Sequence, residues 1–143
     1  MAASGWLFWA LLSAVFAALT AIFAKIGLEG IDSDLATLIR TAVIIVVLAG
    51  FVYGAGKWSN PFNFSSRSWL FLVLSGLATG ASWVCYFRAL KLGDVAKVAP
   101  VDKFSILLVV LFAVIFLGER PSGREWAGIA MIGAGVLTLA FKR

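Results

Sequence analysis

Asp102 and Lys103 stand side by side just before an apolar run, residues 104–118. A carboxylate or an ammonium at the centre of a bilayer helix costs about 2.5–3.5 kcal/mol on insertion scales, and residues that carry this cost commonly mark a solute or ion path. The other reading is a shallow pair that neutralises itself and snorkels to the headgroups. Pro100, two residues earlier, has no amide hydrogen and frees a carbonyl one turn back. It predicts a helix kink. Broken helices beside charges recur in transporters, though inert spans have them too.

Lys25, Arg40 and Arg88 fall near the same membrane face as that pair if successive helices alternate in direction. Four cations against one carboxylate form a vestibule that prefers an anion or a zwitterion to a cation. Alternatively, Arg88 pairs with Asp102 and the two are structural. Trp83 and Tyr86 share a helical face with Thr79, at spacings that would shape a substrate path or supply interfacial anchors. Ser13 and Thr20 flank Ala17 on one face of the first helix, where hydroxyls often bond back to their own helix.

Other chemistries lack their residues. The chain has no histidine, so the commonest proton shuttle and metal ligand are missing. Its one cysteine, Cys85, has no internal partner. Gly133-Ala134-Gly135 lies in an apolar span rather than after a strand, which removes a nucleotide-binding reading. No enzyme, cofactor or metal site is expected. The net charge of +5 is scattered at segment ends, as the headgroup region favours, so nucleic acid is not an expected partner.

Five elements must position these residues. Of the 143 residues 62% are hydrophobic and 13% charged, and the mean hydropathy is +1.03. Soluble domains carry about 25% charged residues, so lipid must solvate much of this chain. A span needs about 20 apolar residues to cross about 30 Å of hydrocarbon. Uncharged runs at 6–24 and 68–87 meet that alone, while 41–56, 104–118 and 126–141 need extension. For the fourth run, extension draws Asp102 and Lys103 inside the boundary.

Backbone groups must be satisfied internally in lipid, and the runs lack the alternation of a β-barrel. The expected fold is an all-α integral membrane protein, one domain over 1–143, with five transmembrane helices near 6–26, 35–56, 67–91, 95–118 and 123–142. The first is read as a retained helix, since no Lys or Arg precedes it. Trp126, Lys142 and Arg143 would anchor the last.

Lys57, Arg67, Arg120 and Arg124 would lie on one side. Lys25, Lys91, Lys97, Lys142 and Arg143 would lie on the other, with Arg40 and Arg88 near it. This weakly favours a cytoplasmic C-terminus and leaves both insertions open. Gly76 and Gly80, with Gly128 and Gly135 beside Ala130 and Ala134, offer small surfaces for helix packing, within the chain or between chains.

The stretch Tyr86-Phe87-Arg88-Ala89-Leu90-Lys91-Leu92-Gly93-Asp94 leads into Val98-Ala99-Pro100-Val101-Asp102-Lys103 and Phe116-Leu117-Gly118-Glu119-Arg120. With Trp126-Ala127-Gly128 through Ala134-Gly135-Val136, it resembles the EamA-type domain of the drug/metabolite transporter superfamily. The resemblance implies one five-helix repeat unit. Full-length members are similar to two such units, inverted around a central cavity. A single unit implies a homodimer, antiparallel in one arrangement, or a paralogous heterodimer. The smaller multidrug-resistance relatives use a glutamate midway along the first helix to exchange protons for cationic drugs. Here residues 13–20 contain no acid.

The function expected is transport of a small polar metabolite, anionic or zwitterionic such as an amino-acid derivative, by alternating access in a dimer at the cell membrane. Two alternatives stand beside it. One is a non-transporting membrane subunit that stabilises a partner; the other is a multidrug exporter.

Overall fold

A computed structural model of the chain describes residues 3–141, all of them in helices, turns or short connections. They form two compact units, Met1–Leu92 and Gly93–Arg143.

The first unit holds α1 (Ala3–Gly27), α2 (Ser33–Gly54) and α3 (Ser66–Leu92), with a short 3-10 turn, Pro61–Asn63, before α3. Asp32 starts α2: its carboxylate accepts from the amides of Asp34 (2.9 Å) and Leu35 (3.2 Å), two donors that no helical turn can satisfy. The helix therefore begins at Ser33, two residues before its expected start at 35. Gly30, at φ 72°, makes the left-handed step that joins α1 to α2. Both α1 and α2 pack on α3. Ala21, Leu28, Ser33, Thr37, Phe87 and Leu90 are buried. The Thr37 hydroxyl donates to Ser33 O at 2.8 Å, so the buried oxygen costs little.

The second unit holds α4 (Val95–Asp102), α5 (Ser105–Phe112), a π-helical turn (Ala113–Leu117) and α6 (Gly123–Ala140). The expected single helix over 95–118 is interrupted. After Pro100, the amides of Lys103, Phe104, Ile106 and Leu107 each donate three residues back, at 2.9–3.1 Å. This tightens the chain between α4 and α5. Gly118, at φ 68°, closes the π turn. Ser122 and Glu125 form a reciprocal capping box that starts α6. α6 packs on α4 and α5, where a Cβ on Gly133 would come within 3.1 Å of Leu107.

Four helical stretches are long and apolar enough to cross a membrane: 5–27, 33–54, 66–92 and 95–117. At most 6% of each apolar window is buried. Soluble proteins rarely leave such continuous apolar surface bare, so these helices are built for lipid or for other helices. α6, with 18 residues, spans about 27 Å at 1.5 Å per residue. The anchors Lys142 and Arg143 lie outside the described residues.

Candidate functional site

Arg40 lies seven residues into α2, about 10 Å along its axis at 1.5 Å per residue. Its guanidinium carbon sits 4.2 Å from the centre of the Trp83 ring and 5.4 Å from that of Phe87. Trp83 and Phe87 are four residues apart on α3 and so present one face. A guanidinium over an aromatic face gains about 0.5–2 kcal/mol. Stacking uses the flat face of the cation and leaves its rim of N–H donors. Among the described residues no carboxylate or hydrogen-bond acceptor meets that rim.

Beside Arg40 is a cavity of about 360 Å³ between the three helices of the first unit. Small residues open it: Ala24 and Gly27 on α1, and Ala36 on α2. Thr20, Arg40 and Phe87 complete its chemically distinctive wall, and the rest is aliphatic or aromatic. No carboxylate lines it. The sequence reading placed Arg40 and Trp83 on the substrate path without foreseeing that they touch.

At the same end of the unit, the other cations meet partners. Arg88 grips Asp34 with two bonds: Nε donates to Oδ1 at 2.9 Å and Nη2 to Oδ2 at 2.5 Å. This ties α3 to the first turn of α2. The partner of Arg88 is thus Asp34, where the sequence reading had offered Asp102. Asp34 falls just before the second expected span, 35–56. A carboxylate in the first turn of one helix, level with an arginine near the end of the next, was the available signal. Lys25 donates to Leu90 O at 2.6 Å, one of the last-turn carbonyls of α3 that the helix leaves unpaired. Lys91 donates to Ile31 O at 2.7 Å and fixes the α1–α2 connection.

Tyr86 stands edge-on to Phe87, ring centres 6.4 Å apart. The Thr79 hydroxyl bonds back to Ser75 O at 2.8 Å, so this member of the proposed aromatic face is spent within its own helix.

In the second unit, the Lys103 ammonium is 3.3 Å from Asp102 Oδ2, at the junction of α4 and α5. The Asp102 side chain is 35% exposed and that of Lys103 54%, so neither is buried within the chain. A second pair, Lys97 to Asp94 at 3.0 Å, lies about two turns earlier. A Cβ added at Gly76, Gly80, Gly128 or Gly135 would meet nothing within 4 Å. Gly133, within its own unit, packs closely against Leu107. Among the described residues no three Cys, Asp or Glu side chains gather as a metal site requires.

Bare apolar helices, charges held at helix ends and one arginine facing an apolar cavity define a multi-pass α-helical membrane protein. The chain belongs to the EamA-like transporter family, which it matches over residues 4–141. It is therefore a transporter of that family, and the resemblance drawn from residues 86–136 is correct.

It is 62% identical over 135 residues to an uncharacterized transporter in the cobO 3' region of Sinorhizobium sp, covering 94% of this chain and 96% of that protein. It is 24% identical over 136 residues to the uncharacterized transporter YxxF of Bacillus subtilis (strain 168), covering 94% of this chain but 42% of that one. A probable 4-amino-4-deoxy-L-arabinose-phosphoundecaprenol flippase subunit, ArnE, of Yersinia pestis (strain Pestoides F) is 30% identical over 88 residues, 59% of this chain and 75% of that protein. No solved structure matches.

Proposed function

We propose that the chain moves a small polar metabolite, anionic or zwitterionic, across the cell membrane by alternating access in a dimer. The observation that carries this reading is Arg40: a cation within a span, stacked but not neutralised, beside a cavity. A charge at that depth is tolerated where it faces water or a counter-ion, and a solute anion supplies one.

In this reading α6 is the fifth span, its shortfall made up by Trp126 at one end and Lys142 and Arg143 at the other. Trp83 and Tyr86 shape the path. Arg88 and Lys25 brace its end, their bonds to Asp34 and Leu90 holding α1, α2 and α3 together there. Asp102 and Lys103 act at the helix break, whose two short helices can tilt separately.

The dimer is supported by size. The Sinorhizobium relative is matched over 96% of its length, whereas the Bacillus protein leaves more than half its length for a second such unit. The open faces at Gly76, Gly80, Gly128 and Gly135 suit close approach of another copy, antiparallel in one arrangement.

The test is flux into phosphatidylcholine vesicles holding the purified chain, with a permanent anion (benzenesulfonate), a zwitterion (phenylalanine) and a permanent cation (tetraphenylphosphonium) as labelled probes. Uptake of the anion or the zwitterion, reduced by Asp102→Asn and by Lys103→Gln, is the expected result. Uptake of the cation alone would support a multidrug exporter instead.

A second reading takes its support from the word "subunit" in the name of the Yersinia relative. Here the chain would work only with a paralogous partner or would stabilise it, and flux would require that second protein. Flux by the purified chain alone excludes this.

A further inference from the structure

Arg40 is the single charged side chain among those lining the cavity of the first unit. The reading above leaves the solute either anionic or zwitterionic, and the walls of this cavity distinguish the two. An ammonium entering it would give up its hydration shell and meet no carboxylate in return, a costly exchange in a mostly apolar site. An oxyanion would meet the free rim of Arg40, whose paired N–H donors match two oxygens of a carboxylate, phosphate or sulfonate.

The remainder of the ligand would face Phe23, Ile39 and Phe87 and the small residues that open the space. Hydroxyls there would be buried without partners, apart from one within reach of Thr20. An apolar body would instead gain from leaving water. The volume, about 360 Å³, falls at the lower end of the range for small-molecule sites, about 300–1,000 Å³.

We propose that the α1–α2–α3 cavity binds a monoanion with an apolar body, its oxyanion head on the rim of Arg40, in preference to a zwitterion or a polyhydroxylated solute. This rests on the transport reading and narrows its substrate class. The same chemistry comes from two sources, a soluble aryl or alkyl acid or a lipid bearing a single phosphate.

The experiment measures binding to the full chain in phosphatidylcholine nanodiscs. Benzenesulfonate represents the soluble source and dodecyl phosphate the lipid source. Phenylalanine tests the zwitterion, and inorganic sulfate tests an anion without a body. Saturable binding of benzenesulfonate, of dodecyl phosphate or of both is expected, about 10- to 100-fold tighter than phenylalanine or sulfate, as one charge-assisted bidentate contact provides.

Arg40→Gln should remove that advantage. Should this variant fail to fold, Ala36→Trp fills the cavity with Arg40 intact and should also weaken binding by about tenfold. The probe that saturates identifies the source. Phenylalanine binding as tightly as benzenesulfonate and dodecyl phosphate would overturn the proposal, and so would binding indifferent to both substitutions. Vesicle flux separates the two levels: phenylalanine uptake without anion binding would sink the monoanion and leave the transporter standing.

Discussion

Two arginines near one end of the first unit have opposite surroundings. Arg88 is tied by two bonds to Asp34, and the lysines beside it, Lys25 and Lys91, donate to the carbonyls of Leu90 and Ile31. Arg40 has only aromatic faces beneath it and a cavity alongside. The charge that is spent on the fold sits where helices end and leave polar groups to satisfy. Arg40 sits deeper, over Trp83 and Phe87, with no carboxylate bonded to it among the described residues. A basic vestibule counted from sequence as four equal cations is thus one candidate ligand site and a set of fastenings.

The contrast is most directly broken by removing the deep charge. Arg40→Gln should lower flux of the transported probe by about 10- to 100-fold, the cost of a lost charge-assisted contact, without moving the thermal unfolding midpoint downward, because relief of a half-buried charge offsets the lost stack. A fall in the midpoint with unchanged flux would place Arg40 among the fastenings. Next in size, Ala36→Trp should reduce uptake by about tenfold, since it occupies the cavity with the charge still present. Unaltered uptake would put the solute route elsewhere.

Trp83→Leu should weaken binding of benzenesulfonate or dodecyl phosphate by about two- to fivefold, because the stack orients the guanidinium and contributes about 0.5–1 kcal/mol. Trp83→Phe should recover part of that loss. The smallest functional change belongs to Asp34→Asn, expected to leave flux within about twofold while the unfolding midpoint falls, as Arg88 loses its paired partner. The charge swap Asp34→Arg with Arg88→Asp should restore part of the midpoint; a swap no better than the single change would remove the bridge from the account.

Much of the helical plan was legible because bilayer physics leaves few choices. Long uncharged runs must be helices, while the break between α4 and α5 falls at residues 103 and 104, beyond Pro100, whose missing amide hydrogen bears on the turn before it. The family, too, was readable from residues 86–94 and 98–103. The partners of the charges were not. Asp34 lies 54 residues from Arg88, and no local spacing connects them.

The cavity was equally hidden. Ala24, Gly27 and Ala36 are ordinary small residues until they are known to line one cavity. The glycine pattern named small surfaces without naming what they meet. Gly76 and Gly80 have helix-packing spacing yet lie open, whereas Gly133, with no such partner in sequence, takes the close contact with Leu107.

The most direct test sets Arg40→Gln and Arg88→Gln side by side in the same vesicles, with benzenesulfonate uptake and thermal midpoint read for each. The account predicts that the first loses uptake and keeps its midpoint, while the second loses midpoint and keeps most of its uptake. The reverse assignment, or equal loss of both quantities in both variants, would contradict it.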